Sequence, residues 1–500
     1  MGQAGTRDEA AYVWHRRPSI HVVTCSSIRV GRIGRVHICS SVVKVEYACT
    51  MTALEAPPSN AYLNDRAHVF HSWSAQGALK PVVVAGAEGS YFWDENGKRY
   101  LDFSSQLVNV NIGHQHPKLV AAIQEQAAKL CTIAPFHANE VRSEAARLIT
   151  DLAPGDLNMV FFTNGGAEAT DNAIRMARLH TGRQKVLATY RSYHGATGGA
   201  IAVTGDPRRW SGETGVSGIV HFWGPFPYRS QFHSDSPAQE TERALEHLRD
   251  TIMVEGPATV AAIILETVVG TNGILVPPPG YLQGIRDICN EHGIVYIADE
   301  VMAGFGRCGE WFAVNHWDVA PDLITFAKGV NSGYLPLGGV IISQRIADTF
   351  KERQYPGGLT YSGHVLACAS AVASINIYKD EDVLGQARNL GENILGPGLA
   401  KLAAKHPSIG EVRGLGGFWT MDLVTNRETR APLVPFNAVG AAAQPMNDLA
   451  AACKDRGLWP MIHFNRLNVV PPLTTSAEDA NAGLAIIDEV LDLADRHYVG

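Results

Sequence analysis

A chain of 500 residues with 46% hydrophobic and 18% charged residues has enough apolar matter for a large core and too little charge for a disordered chain or a coiled coil. Its net charge of −7 argues against a basic nucleic-acid-binding surface, and no run of 18 apolar residues is present to span a membrane. Eight scattered cysteines without a CxxC pair suit the reduced thiols of a cytoplasmic enzyme better than a disulfide framework or a zinc site.

Residues 1–50 hold seven Lys/Arg against three acids, so they are net +4 while the rest of the chain is −11. Arginine interrupts each apolar stretch there, and neither helical nor strand periodicity persists. Residues 1–60 therefore read as a disordered or non-native extension, with translation expected to start at Met51; the alternatives are an organelle-targeting segment, which the Arg/Ser-rich, acid-poor stretch 16–41 resembles, and a structured extension. Next, short strands are predicted at 82–84, Tyr91–Asp94 and Arg99–Asp102, around turns at 86–89 and 95–97. An amphipathic helix follows over 118–130, with Pro117 at its entry. An alternating pattern then begins: strand 159–162, helix 167–180, strands 186–189 and 260–265, helix 281–291, and strands 294–298, 323–327 and 340–342. Short apolar strands alternating with helices predict an α/β fold with a mostly parallel central sheet covered on both faces. A helix over 365–378 opens the last third, strands lie within 409–423 and at 467–470, and a helix over 477–496 starts from Ser476 as N-cap. The expected division is a large domain over 106–364 and a smaller α/β domain built from 61–105 and 365–500.

In open α/β sheets, ligands bind beyond the carboxyl ends of strands. Four such ends carry polar groups here: Asn164-Gly165-Gly166, Glu266, Asp299 and Lys328. The glycines open a helix, where free N–H groups and the dipole favour a phosphate. A carboxylate ending the apolar strand before Asp299 needs a cationic partner or several donors. Burial at Lys328 would lower the amine's pKa, as a Schiff-base lysine requires. Tyr193, in Tyr193-His194-Gly195, offers an aromatic face. Alone, each has an ordinary structural explanation; together they supply the amine, anion, aromatic face and phosphate cup of a pyridoxal phosphate (PLP) site. Neither a Walker loop nor GxGxxG occurs. His114 and His116 precede Pro117 without a third ligand at metal spacing, so a helix-entry turn is expected and no metal site.

In this order the motifs resemble the class III, or ω-amino acid, aminotransferases of PLP fold type I, from Tyr62 to the C-terminus. The resemblance rests on 163–169, Ser192-Tyr193-His194-Gly195, 297–301 with Gly304-Phe305-Gly306-Arg307, Phe326-Ala327-Lys328-Gly329 and 359–364. It implies that Lys328 holds PLP through a Schiff base and moves the substrate proton, while Asp299 keeps the pyridine nitrogen protonated. Tyr193 and Val301 would sandwich the ring, with His194 in the same cofactor shell and Glu266 on the ring-hydroxyl side. Gly165, Gly166 and Ala167 would hold the phosphate together with Thr360 of the partner subunit. The implied reaction is ping-pong transfer from a small-molecule amine donor to a keto-acid acceptor. The implied assembly is a homodimer with shared sites, or a tetramer of such dimers.

Departures from the family pattern bear on substrate. Asn468 stands where ornithine- and 4-aminobutyrate-type members carry an arginine, Met302 where they often carry glutamine, and Met461 aligns with the mobile arginine of amine:pyruvate members. Segments 71–77, 104–117 and 460–473 look most like taurine:pyruvate-type transaminases, with Trp73 and Arg466 as substrate-site candidates. The expected activity is transfer from a short ω-amino acid or amine, such as taurine or β-alanine, to pyruvate. The alternatives are a 2-oxoglutarate-dependent 4-aminobutyrate, ornithine or diamine enzyme, an aminomutase or decarboxylase of the same fold, and a non-enzymatic binding protein. Intact Lys328, Asp299 and Tyr193 argue against the last.

Overall fold

The computed structural model describes residues 13–16, 19–22, 58–212 and 217–500. The chain divides into two units, Met1–Trp73 and Ser74–Gly500. In the first, Val13–Arg16 pairs antiparallel with Ser19–Val22, and helix Asn60–His68 starts where Ser59 accepts the Tyr62 N–H. The expected translation start at Met51 lies outside the described residues, as does most of the extension.

The second unit is organised by a seven-stranded sheet: β1 (Leu157–Thr163), β2 (Lys185–Thr189), β3 (Ile219–Phe222), β4 (Val260–Glu266), β5 (Val295–Asp299), β6 (Leu323–Phe326) and β7 (Gly338–Ser343). Their order across the sheet is β1-β7-β6-β5-β4-β2-β3. Strands β6, β5, β4, β2 and β3 run parallel, and β7 runs antiparallel to both of its neighbours. Every residue of β4, β5, β6 and β7 is buried, so these strands read as unbroken apolar runs rather than alternating ones. Helix Gly166–Thr181 packs its Ala169, Ala173 and Ala177 side against one face of the sheet. Helix Tyr281–His292 brings Ile285 and Ile288 to the cluster on the other. Burial of side chains this large stabilises by about 1.5–3 kcal/mol each.

A second core joins the chain ends. Leu101 and Phe103 pack with Leu399, Met421, Leu449 and Leu484. Strand Leu458–Trp459 pairs in parallel with Arg99–Asp102, setting Leu458 opposite Leu101. In a separate sheet, the hairpin Ile409–Leu415 and Phe418–Asn426 extends through Arg466–Val469 to Met461–His463.

Two readings shift. The strand expected at 82–84 is Val84–Glu88, and it runs through Gly86 instead of turning there. The Trp93 ring lies across Gly86, where a Cβ would come within 2.5 Å of it, so the glycine serves close approach. Helices Glu140–Leu152 and Pro237–Glu255 were not anticipated, although Asn139 and Ser236 cap them and Pro237 occupies the first turn.

Candidate active site

Parallel strands in register place their terminal residues side by side. Asp299 of β5 sits opposite Glu266 of β4 and Thr325 of β6. Beyond these ends lies a cavity of about 450 Å³, lined by Gly165, Gly166, Ala167, Tyr193, His194, Glu266, Asp299, Val301 and Lys328 among others. Nine expected cofactor residues thus meet in one space. Thr360 does not line it; in this subunit it is exposed on the segment between Tyr355 and His364.

Lys328 leaves the end of β6 over an aromatic floor. Phe326 is fully buried, with Phe305 and Phe162 rings at 5.8 and 6.5 Å. The Lys328 backbone is left-handed, at φ 44°, unusual for a residue with a side chain. The loop that imposes it is fixed by Gly333 N–H donating to the Lys328 carbonyl at 3.1 Å and by Asn331 donating to Leu335 O and Ser370 Oγ. Burial lowers the Lys328 amine; Asp299 and Glu266 oppose that, and Arg208 and Arg307 add to it.

Asp299 is 4% exposed. One oxygen accepts the Val301 N–H at 3.0 Å and the other meets His194 Nδ1 at 2.6 Å. Burial pushes His194 down, but the Asp299 hydrogen bond and charge outweigh it and raise the imidazole above its ordinary value. His194 is thereby held toward its charged form against the Asp299 carboxylate.

Glu266 accepts the N–H groups of Tyr193 and Gly270, each at 2.8 Å, and so pins the loop that carries Tyr193. Burial, with a contribution from Asp299, drives its carboxyl up to about 7, against the pull of His194 and the two N–H donors. The folded protein therefore keeps this proton to about pH 7, whereas an unfolded glutamate releases it near 4.5. The folded state binds more protons in that window, so stability falls as pH rises through it, by roughly 3 kcal/mol for this group. Glu300, also driven to about 7 chiefly by burial, acts in the same direction. Urea midpoints of the cofactor-free protein should fall between pH 5 and pH 7, and Glu266→Gln should flatten that slope; an unchanged slope would contradict the assignment.

At the start of helix Gly166–Thr181, Glu168 accepts the Asn164 N–H at 2.8 Å. Val301 presses on Gly166, where a Cβ would fall 2.8 Å from Val301 Cγ1. Gly165 instead faces open space, since a Cβ there would meet nothing within 4 Å.

Arg208 carries no motif that marks it in the sequence. Its guanidinium lies over the Tyr193 ring, 3.5 Å from the centroid, and it is held by Asp206, which also accepts from Asn272 at 3.0 Å. Arg466, expected at the substrate, does not line this cavity. Its strand sets it opposite Asp422, and it lines a separate cavity instead, with Nε 3.5 Å from the Asp422 carboxylate. Trp73 belongs to the first unit and is 64% exposed. His114 and His116 meet the carboxylates of Asp102 and Glu381, at 2.9 and 3.2 Å.

The sequence profile of the class-III aminotransferases matches residues 73–491. The chain belongs to this family. This aminotransferase is 35% identical to a 5-aminovalerate aminotransferase of Pseudomonas aeruginosa over 83% of its own length and 95% of that protein's. It is 34% identical to the 4-aminobutyrate aminotransferase of Escherichia coli, over 84% and 96% of the two chains. Among solved structures it resembles a taurine:2-oxoglutarate aminotransferase of Bifidobacterium kashiwanohense in complex with PLP and glutamate, with a TM-score of 0.84 and 43% identity over 87% of this chain and 97% of that one. Class-III aminotransferases are PLP-dependent enzymes of fold type I. The site of this aminotransferase fits that cofactor: a partly buried lysine, a buried carboxylate at the carboxyl end of a central strand, an aromatic wall and an open glycine at a helix start share one cavity. No helix among the described residues is long and apolar enough to cross a membrane.

Proposed function

We propose that this ω-amino acid or amine aminotransferase takes donors that carry a single acid group beyond the reacting amine, of the taurine or β-alanine kind, and passes the amino group to pyruvate. The observation that carries this reading is Arg208, laid on the Tyr193 ring that walls the cavity. Among the described residues, the cavity lining itself contains one lysine, Lys328, and no arginine. One guanidinium at the wall suits one sulfonate or carboxylate at a time, that of the donor and then that of the keto acid. Asp206 engages Nε and Nη2 of Arg208 and so orients the fork.

Bound PLP supplies the aldehyde that receives the amino group and the ring that draws electrons from the substrate carbon. Lys328 would hold it and carry the proton at its Nζ. Asp299, braced by His194, would sit against the ring nitrogen, with Tyr193 and Val301 on the two faces. The N–H groups of Gly166 and Ala167, with Thr360 of the partner subunit, would take the phosphate.

A second acceptor, 2-oxoglutarate, is favoured by the 43% identical taurine enzyme, whose structure holds glutamate. A panel of taurine, β-alanine, 4-aminobutyrate, ornithine and putrescine against both keto acids decides between them. The expected result is fastest turnover with taurine or β-alanine and pyruvate, and an Arg208→Ala variant with KM for an acidic donor raised at least about tenfold while putrescine is little affected. Robust use of glutamate as donor would transfer the assignment to 2-oxoglutarate.

A further inference from the structure

A second cavity, of about 370 Å³, lies behind the loop that carries Tyr193 and shares no lining residue with the Lys328 cavity. Four arginines line it: Arg191, Arg209, Arg229 and Arg466. The walls between them are largely aromatic, with Trp210, Trp223, Phe226 and Phe436.

The charges here are not balanced in the usual way. Arg191, Arg229, Arg413 and Arg466 act on one another and share the carboxylate of Asp422, which is 1% exposed; Glu240 also acts on Arg191, and Asp206, held by Arg208, lines the cavity itself. Arg229 takes the close contact with Asp422, at 2.6 Å, while Arg413 stands at 3.3 Å and Arg466 at 3.5 Å. Glu411 is engaged by Arg413, and Glu240 by the Phe226 N–H and the Ser230 hydroxyl. Arg191 makes no hydrogen bond and no close ion pair among the described residues; its guanidinium rests near the Trp223 and Phe226 rings, at 5.3 and 5.0 Å. A ring face holds a guanidinium in place without neutralising it, so the charge stays available.

Arg466 is 7% exposed, and its Nε and Nη1 have no hydrogen-bond acceptor among the described residues. A buried donor left in that condition is costly, and a ligand that accepts from it recovers the loss. Burial, and the neighbouring arginines, lower both Arg191 and Arg466 to about 10, so both remain cations at neutral pH. Arg191 also sits in the left-handed region, at φ 61°, two residues before Tyr193. Strain of that kind collects where a side chain is presented to a ligand.

We infer that this cavity is a second binding site, for a small oxyanion such as a phosphate or carboxylate group, held by the Arg191 and Arg466 forks against the aromatic walls. The site is separate from the cofactor's phosphate cup, and its occupant would fix the segment leading into Tyr193.

The test uses the PLP-loaded enzyme, in which the cofactor already fills its own phosphate cup. Inorganic phosphate and succinate are titrated by calorimetry against sodium chloride at matched ionic strength. Saturable one-to-one binding of phosphate or succinate, absent with chloride, is expected; the tighter of the two names the natural head group. Arg466→Gln and Arg191→Gln should each weaken it at least tenfold. Phe436→Glu, at a half-exposed wall position, should abolish it by placing a carboxylate at the mouth, and serves if the arginine variants fail to fold. Equal responses to all three salts, or binding unchanged in Phe436→Glu, would overturn the inference.

Discussion

Replacing Lys328 by alanine is expected to lower kcat for transamination by about 10⁴-fold and to abolish covalent trapping of PLP by borohydride. Lys328 is the only lysine lining the cavity among the described residues, and burial depresses its amine, which favours the neutral, nucleophilic form. Its left-handed backbone, at φ 44°, is imposed by the loop from Lys328 to Gly333 and does not depend on the amine. Alanine should therefore keep the fold, and the variant should still bind PLP without a covalent link. The measurement is mass spectrometry after reduction; a variant that still gains the mass of reduced PLP would remove Lys328 from its assigned role.

The second large effect is structural. Arg307 is fully buried, and its guanidinium donates to Gly417 O, Pro471 O, Ser105 Oγ and Asn111 Oδ1 at 3.0, 2.7, 3.2 and 2.6 Å. It ties four distant points of the sequence together. The segment it reaches at Ser105 is itself strained, with Ser105, Gln106 and Val108 all at positive φ. Arg307→Ala would leave buried acceptors without donors, at about 1–3 kcal/mol each. The sum is comparable to the whole stability of an ordinary domain, about 5–15 kcal/mol. The expected outcome is insoluble protein or a melting temperature lower by roughly 10 °C or more; a melting temperature within about 2 °C of the parent would show that the contacts add little.

Much of the site could be read from the sequence because its residues follow unbroken apolar runs. Glu266, Asp299 and Lys328 each end or follow a strand whose every residue is buried, and parallel register alone brings Glu266 beside Asp299. The glycine pair before helix Gly166–Thr181 was legible for the same reason. Arg208 was not. Its pairing with Asp206, two residues away, looks local, and only the folded loop lays it on Tyr193. Arg466 was misplaced because a strand residue faces whatever its neighbour opposes, and that is Asp422, 44 positions earlier in the chain. Helix Pro237–Glu255 had its signal in Ser236-Pro237, which polar composition obscured.

The pairing of Leu458 with Leu101 has a consequence for biogenesis. Strands Val84–Glu88, Tyr91–Asp94 and Arg99–Asp102 are made before the seven-stranded sheet, but the segment that covers the edge of Arg99–Asp102 is made after it. Until then that edge offers unpaired backbone groups to any neighbouring nascent chain. The seven-stranded sheet, complete by Ser343, can assemble before the second core, which must wait for the later segments through Ala494. Chaperone dependence in this enzyme should therefore fall on the strands made first.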